Sequence, residues 1–208
     1  MIVGITGGIG SGKSTIARAL AARGYAVYDC DREAKRIIAE NEEVQQKIIA
    51  LLGEEAFTNP SAPSLKERAG GEVSPIYNTT YVAKRVFADP HLLKELNRIV
   101  HPAVKADILS SFTSHLSPLF LESAILFESG LNVLCNRIIV IDAPEDIRIA
   151  RTIARDYHGD ASPANINKVR ARIHAQHIPQ GDLTLLNDGH TPISDLADMI
   201  VLSCGLAV

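Results

Sequence analysis

The chain has 208 residues, of which 46% are hydrophobic and 22% charged, and its formal net charge is −3. This composition is typical of a folded globular protein and excludes collagen-like, disordered and coiled-coil classes. The mild acidity argues against a general nucleic-acid coat, and no apolar run reaches the roughly 18 residues of a membrane-spanning helix. We therefore expect neither a nucleic-acid nor a membrane partner. Three widely spaced cysteines without metal-ligand spacing predict reduced thiols in a cytoplasmic protein.

Hydrophobic patterns along the chain predict strands that alternate with helices. The predicted strands are, in chain order, 2–6, 25–28, 119–121, 137–142 and 183–186. The predicted helical segments are 13–23, 32–52, 82–100, 144–155, 163–176 and 193–201. We expect Pro102 to break or kink the third segment, and the Gly- and Pro-rich stretch 53–77 to form a long loop or subdomain excursion. The alternation indicates an α/β fold with a parallel sheet.

A phosphate-binding motif lies between the first predicted strand and the first helix. The segment from Gly7 to Thr15 matches G-x-x-x-x-G-K-[ST] in full. Its glycines allow successive backbone N–H groups to surround a phosphate at a helix N-terminus. We expect Lys13 to reach the β- and γ-phosphates of a nucleoside triphosphate, Ser14 to ligate Mg²⁺ and Thr15 to meet the α-phosphate. The expected nucleotide-binding residues are Gly8, Gly10, Ser11, Gly12, Lys13, Ser14 and Thr15.

The P-loop alone does not separate GTPases from kinases. Guanine recognition usually requires N-K-x-D, but the Asn-Lys pair at 167–168 is followed by Arg170 instead of an aspartate. The sequence therefore favours a kinase, which needs a base on the acceptor side.

Carboxylates follow the second and third predicted strands. Asp29 and Asp31 are two residues apart, so both point to one side while the chain remains extended. One of them could accept a hydroxyl proton while the other holds Mg²⁺ or substrate; alternatively, Asp31 is only a helix N-cap. Glu122 is the candidate second acid near Mg²⁺.

Basic residues concentrate between positions 148 and 172. Six lysines and arginines stand there against two aspartates, a local excess of +4 from six minus two. Arg151 and Arg155 are four residues apart and share one helix face. Two helices around a Gly-containing turn fit a lid that closes over phosphates, although a solvated basic face would show the same count. Arg155, next to the turn, is the candidate that neutralises charge on the transferred group.

These motifs resemble those of the dephospho-CoA kinase family. The shared blocks are the P-loop with its Thr-Gly-Gly start at 6–8, D-x-D at 29–31, L-N-x-I-x-H-P at 96–102, L-F-E at 126–128, R-x-x-x-R-D at 151–156, R-I-x-x-Q at 172–176, and the late Asp182, Asn187 and Gly189. In this order they cover about residues 2 to 202. The chain departs from the family pattern at Glu122, where an aspartate is common, at 124–125, 77–79 and Gly181.

The resemblance implies that ATP, with Mg²⁺, phosphorylates the ribose 3′-hydroxyl of dephospho-CoA, the last step of coenzyme A synthesis. It implies a P-loop kinase core with a parallel five-stranded sheet flanked by helices (1–30, 116–144 and 181–208), a helical CoA-substrate domain (31–115) and a lid (145–180). The catalytic residues would be Lys13, Asp31 and Arg155, and the substrate contacts Asp29, Asp31, His101 and Arg151, with Ser14 and Glu122 at the metal.

Some alternatives remain open. A histidine before proline in a helical region, such as His101, is often a structural residue instead of a substrate contact. The chain could also be a P-loop kinase of a nucleoside, gluconate or shikimate, or a non-catalytic ATP-binding module. We expect a monomer or a weak homo-oligomer.

Overall fold

A computed structural model describes residues 1–58, 76–112 and 117–206 of the chain. The chain divides into two compact units, with boundaries at Asp29/Cys30 and Thr113/Ser114. The first unit contains both chain ends and a β-sheet, and the second consists mainly of helices. In the described parts, no helix is both long and apolar enough to cross a membrane, and the three cysteines are free thiols.

The first unit is a parallel sheet flanked by helices, as the sequence predicts. Its elements are β1 (Ile2–Gly7), α1 (Lys13–Ala22), β2 (Ala26–Asp29), β5 (Leu119–Glu122), β6 (Arg137–Asp142), α6 (Glu145–Asp156), α7 (Pro163–Ala175), β7 (Leu183–Leu186) and α8 (Ile193–Ser203). The five strands pair in the order β2-β5-β1-β6-β7, and every pair is parallel. The predicted fold class is therefore confirmed. The segment predicted as a lid falls within this unit, and its role as a lid stays a prediction.

The order of the strands follows from how much apolar surface each can bury. All six residues of β1 are buried, which suits the central strand of a parallel sheet covered on both faces. Around β1, a core forms from side chains of the sheet, α1 and α8, including Ile5, Ile16, Phe120, Ile139 and Leu196. The carboxyl ends of parallel strands meet at one edge of the sheet, where ligands bind in open α/β folds. At that edge the chain places the P-loop after β1, Asp29, Glu122, and Asn187 after β7.

The second unit is built mainly from four helices among its described residues. Its elements are α2 (Cys30–Glu40), α3 (Glu42–Leu52), the short antiparallel pair β3 (Phe57–Thr58) and β4 (Ile76–Tyr77), α4 (Thr79–Ala88) and α5 (Pro90–Ser111). Residues 59–75, most of the predicted loop at 53–77, lie outside the described residues.

Two helical segments predicted as continuous are each divided by a capping residue. The Asn41 side chain accepts a hydrogen bond from the Val44 N–H at 3.0 Å, so that α3 begins anew after α2. Asp89 likewise accepts from the His91 N–H at 2.9 Å and begins α5. Asn and Asp at such positions satisfy backbone donors that the first helical turn leaves unpaired.

Of the break or kink predicted at Pro102, the break is wrong, because α5 continues through that residue from Pro90 to Ser111; the kink stays a prediction. A proline inside a helix removes one backbone donor and crowds the preceding turn. Val100, Val104 and Ile108 are buried on the same helix, and the packing of this apolar face stabilises α5 on both sides of the proline.

Candidate active site

The P-loop turns tightly between β1 and α1, and its glycines make that turn possible. Gly10 and Gly12 have φ angles of 76° and 95°, a region that side chains with a Cβ rarely adopt. Within the loop, the Ser11 N–H donates to the Gly8 carbonyl oxygen at 3.2 Å. Helix α1 begins at Lys13, directly after the left-handed Gly12. The loop and the first turn of α1 are thus arranged as a cradle for an anion.

Lys13 is buried at the base of this cradle. Its Nζ atom donates to the carbonyl oxygens of Gly7 at 2.9 Å and Gly8 at 3.1 Å. The ammonium group therefore sits on the loop itself, at a position set by two backbone acceptors. A positive charge fixed at this place favours phosphate oxygens beside it.

A cavity of about 450 Å³ opens at the P-loop within the first unit. It is lined by Gly10, Gly12, Lys13, Ser14, Thr15, Arg18, Arg151, Arg155, Asn187 and Ile193. Four of these side chains are cationic and none is acidic, so the cavity favours a polyanionic ligand. Seven of them come from the sequence prediction, while Arg18, Asn187 and Ile193 are additional. Gly8 and Ser11 are not among the lining residues, although both belong to the loop.

Arg151 and Asn187 together hold the loop at Ser11. The Ser11 carbonyl oxygen accepts from Asn187 Nδ2 at 2.8 Å and from Arg151 Nη1 at 3.3 Å. Arg151 Nη2 also donates to Asn187 Oδ1 at 3.1 Å. Asn187 belongs to a family motif in the sequence, but it was not predicted to lie in the site. Its position immediately after the last strand, at the carboxyl edge of the sheet, is the signal that could have identified it.

Arg155 lines the cavity and is paired with its neighbour. Its Nε donates to Asp156 Oδ1 at 2.6 Å, and Arg172 donates to the other carboxylate oxygen at 3.0 Å. The hydrogen bond to Asp156 raises the pKa of Arg155, and the same contact is the main reason why the pKa of Asp156 is lowered to about 2. The exposed guanidinium is thus held by a carboxylate in this conformation.

Ser14 and Glu122 form the oxygen pair predicted to serve a metal. The Ser14 hydroxyl donates to Glu122 Oε1 at 3.3 Å, and Glu122 is buried with 7% of its surface exposed. Asp29 lies in register with Glu122 on the neighbouring strand. Among the described residues, no group of three or more His, Cys, Asp or Glu could enclose a metal ion. A hydroxyl and one or two carboxylates fit Mg²⁺, which usually completes its shell with water and substrate phosphates.

The predicted geometry of the D-x-D element is wrong in one respect. β2 ends at Asp29 and α2 begins at Cys30, so the chain does not remain extended through Asp31. Asp31 instead lies in the first turn of α2, with its side chain exposed. A carboxylate in the first turn of a helix interacts favourably with the helix dipole.

The roles assigned to Asp29, Asp31 and His101 stay predictions. His101 lies in α5 of the second unit, about half-buried, and burial lowers the pKa of its imidazole. The ring is therefore mainly neutral near pH 7, which permits either a structural position or a neutral contact with substrate.

The parallel sheet, the P-loop and the cation-lined cavity above α1 define a P-loop kinase. A dephospho-CoA kinase from Campylobacter jejuni has the same fold, with a TM-score of 0.59 at 20% identity over 98% of this chain and 96% of its own. The family model for dephospho-CoA kinase matches residues 1–192, and the chain belongs to this family. Its members are enzymes of coenzyme A biosynthesis that phosphorylate dephospho-CoA with ATP. The family prediction is thus confirmed.

Similar proteins support the same assignment. The dephospho-CoA kinase of Porphyromonas gingivalis is 39% identical over 155 residues, which cover 74% of this chain and 69% of the relative. The crystal structure of TT1252 from Thermus thermophilus superposes with a TM-score of 0.73 at 29% identity, and covers 100% of this chain and 98% of its own. The likeness extends over both units of the chain.

Proposed function

We propose that this protein transfers the γ-phosphoryl group of ATP to the ribose 3′-hydroxyl of dephospho-CoA. The observation that carries the proposal is the cavity at the P-loop, whose cationic side chains and backbone donors suit the phosphates of ATP. In this family the acceptor is dephospho-CoA. The nucleotide then binds at the carboxyl edge of the sheet, as in other open α/β folds.

On the nucleotide side, the chain binds and orients phosphates. The N–H groups of the loop and the first turn of α1 donate to the phosphate oxygens, and Lys13 reaches the β- and γ-phosphates as a point charge. Arg151 reaches the cavity from α6, and Arg155 can exchange its bond to Asp156 for a phosphate oxygen. Ser14 and Glu122 are the residues that would hold Mg²⁺, which would neutralise negative charge on the nucleotide phosphates.

On the acceptor side, we assign the base to Asp31. Its carboxylate takes the proton of the 3′-hydroxyl, whose oxygen forms a bond to the γ-phosphorus. The bond from that phosphorus to the β–γ bridging oxygen breaks, and ADP leaves with the electron pair. Asp29 and His101 contact and orient the substrate in this scheme. Positioning and charge stabilisation dominate such a transfer, since little covalent work falls to the protein.

The proposal includes the division of the chain into a substrate-binding segment and a lid. Segment 31–115 would bind the CoA side of the substrate, and 145–180 would close as a lid over the phosphates. We further propose that the protein acts in the cytoplasm as a monomer or a weak homo-oligomer. Neither nucleic acid nor a membrane is needed for this chemistry.

The test is ADP release, coupled to a reporter enzyme, with dephospho-CoA as the acceptor. Phosphorus and proton NMR of the product then locate the new phosphate on the ribose. We expect turnover with dephospho-CoA and a 3′-phosphate. A nucleoside, gluconate and shikimate serve as comparison acceptors, and dominant turnover with one of them would show that the acceptor is wrong. ATP binding without transfer to any acceptor would instead indicate a non-catalytic module.

A further inference from the structure

Both polar groups of one P-loop residue, Ile9, are held by side chains from the segment that follows β6. The Ile9 N–H donates to Gln176 Oε1 at 2.7 Å, just beyond the end of α7. The Ile9 carbonyl oxygen accepts from Arg148 Nε at 2.9 Å, from near the start of α6. These residues are 167 and 139 positions away along the chain. Neither belongs to the nucleotide-binding residues assigned above.

Arg148 is an unusual residue to find beneath a loop. Only 6% of its surface is exposed, and its Nη2 atom has no hydrogen-bond partner among the described residues. The nearest carboxylate oxygen in an ion pair, Asp142 Oδ1, is 4.0 Å from Nη1. Burying a guanidinium costs free energy because the charged group loses its hydration. An apolar side chain would fill the same space without that cost, so the burial of an arginine here indicates that its contacts matter. Among the described residues, the hydrogen bond of this guanidinium goes to the Ile9 carbonyl.

The loop is packed closely against this arginine. A Cβ added at Gly8 would lie 2.1 Å from Arg148 Nη2, and one added at Gly10 would lie 2.4 Å from the Arg148 carbonyl oxygen. The loop can approach α6 this closely only because both residues lack a side chain. The contact at Ile9 is therefore part of a continuous packed surface.

The two contacts fix the orientation of two successive peptide planes. In a trans peptide, the N–H and the C=O point in opposite directions. With the Ile9 carbonyl bound to Arg148, the N–H of Gly10 must point away from the Arg148 guanidinium, and Gly10 lines the cavity. With the Ile9 N–H bound to Gln176, the Gly8 carbonyl points the other way and accepts from Lys13 Nζ at 3.1 Å.

We propose that Arg148 and Gln176 are positioning residues that keep the peptide planes around Ile9 oriented for phosphate binding. Arg148 prevents the Ile9–Gly10 peptide from turning its carbonyl oxygen toward the phosphates, where it would repel them. Gln176 holds the preceding peptide, and with it the Gly8 carbonyl that receives Lys13. The inference rests on the proposed location of the ATP phosphates at the P-loop.

The test compares Arg148→Met with Arg148→Lys in the full chain, by calorimetric titration of ATP and by steady-state kinetics. Arg148→Met keeps the length of the side chain but removes the donor, and should weaken ATP binding by about tenfold or more, since an oriented backbone donor is lost from a charged ligand. The KM for dephospho-CoA should remain unchanged. Arg148→Lys, which retains a donor for the Ile9 carbonyl, should recover part of the affinity.

Two further variants control the experiment. Arg23→Met removes a guanidinium that also binds carbonyl oxygens and joins α1 to α8, but has no contact with the loop; ATP binding should be unaffected. Gln176→Leu alters a partly exposed side chain after α7, so it tests the second contact even where Arg148→Met does not fold. It should also weaken ATP binding without changing the KM for dephospho-CoA.

Lys13→Met separates this inference from the proposed location of ATP. If Lys13→Met lowers ATP affinity while folded Arg148→Met and Gln176→Leu bind ATP as the wild type does, the positioning role is wrong. Equal binding by Arg148→Met and Arg148→Lys would also contradict it, because the effect would then not depend on the donor. If Lys13→Met itself binds ATP normally, the phosphates do not lie at the P-loop.

Discussion

Charged side chains have different roles at the P-loop of the first unit, called the nucleotide unit below, and at the surface of the second unit, called the helical unit. At the P-loop of the nucleotide unit, Arg148 and Arg151 donate to backbone carbonyl oxygens. In the helical unit, charged residues pair with each other at the surface, as Arg36 does with Asp107 at 2.8 Å. The first kind of contact fixes a loop in one conformation, while the second is weakened by water and salt. The two arginines at the P-loop therefore orient the site, whereas a surface pair such as Arg36–Asp107 adds little stability.

Asp31 tests this comparison, because it is an exposed charge of the helical unit. We expect it to affect the rate of phosphoryl transfer and not the stability of the fold. Asp31→Asn should lower kcat by about 10²- to 10⁴-fold, the range for loss of a general base. ATP binding and the free energy of unfolding should change little. Coupled ADP release, calorimetry and urea denaturation measure the three quantities.

Glu42→Gln is the matched control for Asp31→Asn. Glu42 is an exposed carboxylate in the first turn of α3, as Asp31 is in α2, so both substitutions remove a similar favourable interaction with a helix dipole. Only Asp31→Asn should lower kcat. Turnover near the wild-type level in Asp31→Asn would remove this residue from the role of base.

Gly12 tests how rigidly the nucleotide unit holds its loop. A Cβ at this position would lie 2.2 Å from Asn187 Nδ2, and the φ angle of 95° is itself unfavourable for alanine. Gly12→Ala should therefore cost about 1–3 kcal/mol of unfolding free energy and raise the KM for ATP. Thermal unfolding and steady-state kinetics check these two effects.

Gly24→Ala separates the clash from the backbone strain. Gly24 has a similar φ angle of 87°, but no atom lies within 4 Å of the added Cβ. We expect about 1 kcal/mol of destabilisation from strain alone, with no change in the KM for ATP. Equal losses of unfolding free energy in both variants would mean that the close approach of Asn187 to Gly12 adds nothing to the cost of the strained backbone.

The smallest effect is expected at the surface of the helical unit. A double-mutant cycle on Arg36 and Asp107 should give a coupling energy of about 0–1 kcal/mol, because the pair lies at the surface and is partly solvated. The coupling should decrease further in high salt. Urea denaturation of the four proteins at two salt concentrations measures it. A coupling of several kcal/mol that resists salt would contradict the contrast between the two units.

The features that could be predicted from the sequence are those that depend on residues close together in the chain. The P-loop motif, the strands and the fold class follow from residues adjacent in the chain, and the structure agrees with them. The divisions at Asn41 and Asp89 were missed because a capping side chain outweighed a continuous apolar pattern. Helix initiation at Cys30 likewise altered the geometry expected for Asp31.

Contacts between residues far apart in the chain could not be predicted from the sequence. Arg148 stood in the sequence only as one of several basic residues, and no local pattern distinguishes it from a solvated arginine. Its burial and its bond to Ile9 depend on how α6 packs against a loop about 140 residues earlier, which periodicity does not encode. The contacts of Asn187 with Ser11 and Arg151 could not be predicted for the same reason.

The close approach of Gly8 to Arg148 limits which residues position 8 can accept. Gly8, unlike Gly10 and Gly12, does not have a positive φ angle. The steric obstacle to a side chain there is the guanidinium at position 148, 2.1 Å from the added Cβ. The requirement for glycine at position 8 is therefore conditional on a residue far along the chain. Alanine at position 8 should therefore be less destabilising beside a shorter side chain at position 148 than beside arginine, although such a shortening would itself remove the donor to Ile9.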